Sequence, residues 1–186
     1  MQKGFTLVEL LIVIAILAVL AVTVVVVLNP AELLRQSRDA TRISDLASVN
    51  SAISLYLTDV ATPYLNGAST ACSPNTGYIT NTTSSPFTGA TSVTTVTSTA
   101  VTGTGWVKIN FGAISGGSPL SRLPLDPTNT GNFFYAYACG GGSNPLAYEL
   151  DTYLESTKYS GLAANSKDGG DAVSANVYEV GNSLTQ

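Results

Sequence analysis

Histidine is missing altogether from the 186 residues. Its absence excludes Ser-His-Asp and Cys-His catalytic arrangements and any histidine-ligated zinc site. Phosphate loops, dinucleotide fingerprints and metalloprotease motifs are missing as well. Charge is scarce: Asp, Glu, Lys and Arg make up 11% of the chain, against about 25% in a typical soluble protein. Eight basic and twelve acidic residues leave a formal net charge of −4, so no broad basic surface exists for holding nucleic acid. Cysteine is down to two, Cys72 and Cys139, with no CxxC pair, which removes zinc-ribbon chemistry. The even count allows one disulfide in an exported setting, and two buried free thiols are the alternative. What remains is an ordinary apolar fraction of 45% and abundant Ser, Thr, Gly and Asn, a composition that suits an exported surface protein.

Most of the apolar content is concentrated at the N-terminus. After Met1-Gln2-Lys3-Gly4 an unbroken apolar run extends from Phe5 to Leu28, interrupted only by Thr6, Glu9 and Thr23. As a helix this run is roughly 36 Å long, enough to cross a hydrocarbon core of ~30 Å. It exceeds the ~7–15 apolar residues of a secretory signal peptide. It ends in Asn29-Pro30 and a charged segment, without a small-x-small cleavage site. Lys3 favours an N-terminus that stays in the cytoplasm while the rest is exported. Glu9 is the anomaly, because a carboxylate within a membrane helix costs about 2.5–3.5 kcal/mol and intramembrane ionisable residues tend to be functional. A position within reach of the headgroups would lower that cost.

The stretch Gly4-Phe5-Thr6-Leu7-Val8-Glu9 resembles the processing site of type IV pilins and of the pseudopilins of type II secretion. The resemblance implies cleavage between Gly4 and Phe5 by a prepilin peptidase, N-methylation of Phe5, and a role for Glu9 in aligning each incoming subunit with its neighbour. It implies as partners further copies of the chain, an assembly platform and an ATPase motor. Loss of residues 1–4 with Lys3 would move the formal net charge from −4 to −5. Phe5 would then carry a positive amine one helical turn from Glu9. In a bundle of packed helices, the amine of one copy and the carboxylate of another would neutralise each other at low dielectric.

Pro30 removes a backbone donor and predicts a kink near Asn29, with a fresh helix start as the alternative. From residue 31 to 60 the pattern is helical, with Leu46, Val49, Ile53, Leu57 and Val60 on one face. Arg35 with Asp39 and Arg42 with Asp45 have the spacing of helical ion pairs. The charged half, residues 32–45, is expected to line a contact between subunits or to face solvent. Residues 61–104 are rich in Ser, Thr, Gly and Asn and are expected to form a loop, with Val93–Val96 as a short edge strand. Asn81-Thr82-Thr83 matches the N-glycosylation sequon.

Beyond residue 105 the pattern turns to β. Trp106–Phe111 alternates and predicts a strand; Phe133–Ala138 and Ala147–Leu154 predict a hairpin around Gly140–Pro145. Glu149 and Asp151 fall on one side of the second hairpin strand, opposite Tyr148 and Leu150. That is the look of a solvated strand face rather than of a glycosidase acid pair. The proline-rich connection SRLPLDPT at residues 121–128 resembles the Leu-Pro-x-Asp-Pro stretch of pseudopilins. An Asp- and Gly-rich calcium loop in major pseudopilins makes Asp168 and Asp171 the candidates for binding Ca2+, with an uncomplexed surface turn as the alternative. No other cofactor and no enzymatic activity are implied.

The expected architecture is α+β: one long N-terminal helix, kinked near Asn29-Pro30, packed on a small antiparallel sheet. Its parts are a leader (1–4), a membrane and filament-core helix (5–28), an amphipathic continuation (29–60), a Ser/Thr-rich loop (61–104), and a β domain with a C-terminal tail (105–186). The expected function is a structural subunit, a major pilin. It would wait as a single-pass precursor in the cytoplasmic membrane and end in an extracellular filament. The alternatives are a pseudopilin or minor pilin of a secretion or DNA-uptake machine, and a membrane-tethered binding domain that never polymerises.

Overall fold

The apolar run folds as helix α1, Leu7–Leu28, in which no residue is buried. The computed structural model describes residues 4–67, 72, 76–81, 86–87, 92–141, 144–159 and 177–183. Asn29 ends α1 in the left-handed conformation (φ 40°, ψ 73°) and is also the N-cap of helix α2, Pro30–Asp59. Asparagine tolerates this conformation better than most side chains, and the proline that follows has no N–H to leave unbonded at a helix start. Kink and fresh start are thus the same event. The two helices together form a long N-terminal helix with a bend.

Among the described residues, five strands make one sheet: β1 Thr76–Ile79, β2 Ser92–Thr95, β3 Tyr135–Cys139, β4 Tyr148–Tyr153 and β5 Val177–Gly181, in the order β2-β1-β3-β4-β5. The predicted hairpin is β3–β4, paired with Tyr137 opposite Leu150. The sheet is mixed rather than purely antiparallel, because β1 and β2 run parallel. Both of those strands lie within the polar stretch 61–104, where only the edge strand around Val93–Val96 was expected. β1 (Thr-Gly-Tyr-Ile) has too few apolar residues to announce itself, and it is held by pairing with β3.

Trp106–Phe111 forms no strand. Val107, Ile109 and Phe111 are buried as the alternation predicts and Trp106, on its other side, is buried too, but the backbone bonds go elsewhere: Trp106 N–H to Ser98 O, and Phe111 N–H to Val101 O. A Cβ on Gly105 would collide with the Ala100 carbonyl, so the chain doubles back on residues 98–101 instead of extending along a neighbour. Phe111–Ala113 closes the segment as a 3-10 turn, with the Asn110 side chain capping Gly112 N–H.

The core lies between α2 and one face of the sheet. Leu46, Val49 and Ile53 of α2 meet Tyr135, Tyr137 and Leu150 there, with Trp106 fully buried in the same layer. Leu57 and Val60 pack at its margin. Burying these side chains contributes roughly 1.5–3 kcal/mol each. A second, smaller cluster, built from Ile79, Phe87 and Phe134 with Ala136 and Ala138, covers the far face. Glu149 and Asp151 lie on that far face, yet they are 0% and 1% exposed, and Asp151 stands opposite the equally buried Glu179 of β5. They are therefore not a solvated strand face.

Cys72 and Cys139 are joined in a disulfide within the core cluster that α2 and the sheet share. It closes a loop of 67 residues, for which chain-entropy reasoning gives a stabilisation of about 4 kcal/mol.

Candidate processing and assembly segment

The backbone is non-helical at Gly4, Phe5 and Thr6, and α1 begins immediately after them. The Gly4–Phe5 peptide bond therefore sits outside the helix, two residues ahead of its first turn. A Cβ added to Gly4 would meet no neighbour within 4 Å, and Phe5 is 88% exposed. A protease needs an accessible backbone outside regular helix, and this bond has both properties.

Glu9 is held by its own chain. Its Oε2 accepts from the Thr6 N–H at 2.9 Å and from the Thr6 hydroxyl at 2.8 Å, while Thr6 Oγ1 accepts from the Glu9 N–H at 3.3 Å. The pair is a reciprocal capping box that satisfies donors at the start of α1. An isolated chain therefore already supplies Glu9 with partners of its own. The Thr-x-x-Glu spacing of Thr6-Leu7-Val8-Glu9 is the sequence signal of this box.

Above the bend, α2 grips the domain through a group of charges. Arg42 is fully buried, and every donor group of its guanidinium is engaged. Nε and Nη2 reach the two Asp126 oxygens at 2.6 and 3.1 Å, Nη1 reaches Asp39 at 2.8 Å and Glu155 at 2.7 Å, and Nη2 also meets Thr128 at 3.2 Å. Arg38 makes a two-pronged contact with Glu155 at 2.6 and 2.7 Å. Asp39 in turn accepts the backbone N–H groups of Glu155 and Ser156, and Glu32 accepts from Thr157. Two loops far apart in sequence, around Asp126 and Glu155, are so fastened to one helix face.

This arrangement replaces two expectations. Arg42 pairs with Asp39 rather than Asp45, and Arg35 lies 3.7 Å from Glu32 rather than beside Asp39. Asp45 instead accepts from the Tyr135 hydroxyl at 2.7 Å. Residues 32–45 are also not simply a solvent or subunit face, since Asp39 and Arg42 are wholly enclosed within the chain. Sequence spacing along one helix cannot reveal partners that arrive from 84 and 113 residues away.

The charges bias one another. Burial opposes the charge on Arg42, but its bonds to Asp126 and Glu155 outweigh that and hold it protonated more firmly than usual. Burial likewise opposes the Asp126 carboxylate, yet the Arg42 bond and the turn amides of Asn129 and Thr128 bring it below its ordinary range. The Arg38 bond, then that of Arg42, lowers Glu155. Burial raises Asp45. A carboxyl group with a depressed folded-state pKa contributes stability that is present above its unfolded value and is lost as pH falls through the folded one. Asp126 and Glu155 follow that sign, and Asp45 the opposite one. The unfolding midpoint is therefore expected to drop on acidification below about pH 4, and Asp126→Asn to flatten the drop; urea titrations across that range check it.

Asp168 and Asp171 lie outside the described residues, as do Thr82 and Thr83 of the sequon. Among the described residues no group of three or more Cys, Asp or Glu side chains is arranged to hold a metal ion.

α1 is long and apolar enough to cross a membrane and stands near the N-terminus. Residues 1–25 match the family model described as the prokaryotic N-terminal methylation motif. No curated protein and no solved structure matches the chain. A bare apolar helix, a capped carboxylate in its first turn and a non-helical peptide bond before it thus coincide with that motif. The chain carries at its N-terminus the signature of type IV pilins and pseudopilins.

Proposed function

We propose that this chain is the major structural subunit of a type IV pilus, processed from a membrane precursor and polymerised through α1. The observation that supports the reading best is a 22-residue apolar helix with no buried residue and one carboxylate in its first turn. Such a surface is at rest only in lipid or among other helices. The precursor would sit in the cytoplasmic membrane with its N-terminus inside. A prepilin peptidase would cut between Gly4 and Phe5, and Phe5 would be N-methylated. Moving helices from lipid into a bundle brings little hydrophobic gain, so pairing of the Phe5 amine with Glu9 of a neighbouring copy would set register. The energy of extrusion would come from a separate motor acting through a platform protein.

A pseudopilin is the second reading, favoured by the Leu123–Pro127 connection, whose Asp126 anchors Arg42. Intact mass and N-terminal sequencing of filaments sheared from producing cells test both. A chain that starts at Phe5 with one added methyl, as the main protein of surface filaments, is the expected result. The same processed chain absent from sheared filaments would favour the pseudopilin. A chain starting at Met1 and confined to membranes would leave a tethered domain.

A further inference from the structure

Cys139 ends β3, the middle strand of five, and it belongs with Tyr135 and Tyr137 to the face that α2 covers. Cys72 reaches it from the segment before β1. The two residues are 4% and 1% exposed, and both share the core cluster with Leu46, Val49 and Ile53 of α2. Thiol–disulfide exchange requires a thiolate to reach a sulfur atom, and access governs its rate. With α2 seated on the sheet, a bulky exchange partner has no such access.

We propose that the Cys72–Cys139 bond is made before α2 closes over the sheet, and that the closed domain no longer exchanges it. The class of reaction that must precede closure is oxidation of a dithiol by an external disulfide. One cysteine thiolate attacks the oxidant's disulfide to give a mixed disulfide and releases the first reduced sulfur. The second cysteine then displaces the other. Two electrons and two protons leave the chain's thiols and appear on the two thiols of the spent oxidant, so no further co-reactant is needed. That this happens on the exported side of the membrane rests on the reading above; the order of oxidation and closure does not.

For assembly, the order makes the disulfide a record of folding history. α2 is directly joined to α1 through Asn29, so closure of α2 on an oxidised sheet would complete the domain before α1 leaves the membrane. A chain that closed while reduced would keep its thiols sealed.

The test uses the full chain in detergent micelles, with dithiothreitol and oxidised glutathione as the probes. In the first arm, dithiothreitol should reduce the native chain roughly 100-fold more slowly than the chain in urea. Reduction of the native chain at a rate within about threefold of the unfolded one would overturn the proposal. In the second arm, reduced and unfolded chain is returned to native buffer with oxidised glutathione and quenched by alkylation at intervals. Loss of alkylatable thiols should precede recovery of the fluorescence of Trp106, which is buried in the same layer. Full fluorescence recovery while both thiols still alkylate would also overturn it. Neither arm involves a filament, so failure here is distinct from failure of the pilin reading.

Discussion

Replacing Arg42 by methionine should destabilise the domain by about 3–5 kcal/mol, the usual consequence of removing one partner of a buried charge group. The substitution keeps the length and apolar stem of the side chain, so packing changes little. What it removes is, among the described residues, the one fully buried cation in contact with Asp39, Asp126 and Glu155. Three carboxylates would then be left around an apolar side chain, with Arg38 able to answer Glu155 alone. Since whole domains are stable by only about 5–15 kcal/mol, much of the molecule's margin would go. Arg42→Lys should recover little of it, because one ammonium group cannot reproduce the two-pronged bond to Asp126 together with those to Asp39 and Glu155. Arg38→Ala supplies the contrast: its side chain is 32% exposed, and the loss should be about 1 kcal/mol or less. Urea unfolding of the full chain in detergent, followed by Trp106 fluorescence, measures all three. Equal losses for Arg42→Met and Arg38→Ala would show that the buried group is no tighter than a surface pair.

Glu9→Leu should abolish filaments while leaving processing and membrane insertion intact. The apolar helix becomes more apolar, so insertion is unaffected, and the Gly4–Phe5 bond lies outside the part of the chain that changes. The capping box makes a second variant informative. Glu9→Gln preserves a side chain that returns to the Thr6 N–H, as either residue type does in a capping box, but it removes the charge. If assembly depends on neutralising the Phe5 amine of another copy, Gln should fail as Leu does, with filament yield down at least about tenfold. If assembly depends only on the shape of the helix start, Gln should assemble normally. Immunoblots of sheared filaments, with membrane fractions alongside, read the outcome. Normal yield from the glutamine variant would sink the charge-pairing account and leave the cap as the reason for Glu9.

What was legible in the sequence was local. The length and unbroken apolarity of Phe5–Leu28, the break at Asn29-Pro30 and the α2 stripe from Leu46 to Val60 are each written in consecutive residues. The hairpin around Gly140–Pro145 was legible for the same reason, since both of its strands and its turn are contiguous. The misses arose where partners come from afar. β1 is a strand because β3 is there to pair with, and nothing in Thr-Gly-Tyr-Ile says so. Trp106–Phe111 alternates like a strand but finds its backbone partners in residues 98–101, so burial was foreseen and conformation was not. Arg42 has a carboxylate at helical spacing on either side; the loops carrying Asp126 and Glu155 decided which one it uses. Glu149 and Asp151 are acidic at alternate positions, a pattern that does not distinguish a wet face from a covered one.

The left-handed residue at Asn29 has a consequence for the bilayer. At 22 residues α1 spans about 33 Å, slightly more than a hydrocarbon thickness of ~30 Å, and membranes differ from one another by a few ångströms. A helix that overshoots relieves the mismatch by leaning. If α1 continued unbroken into α2, each change of lean would lever the Arg42 group and the core layer beneath it. Because the two helices meet at a single residue outside helical geometry, the inclination of α1 in a lipid layer can follow its thickness while the domain built on α2 keeps its internal contacts unchanged.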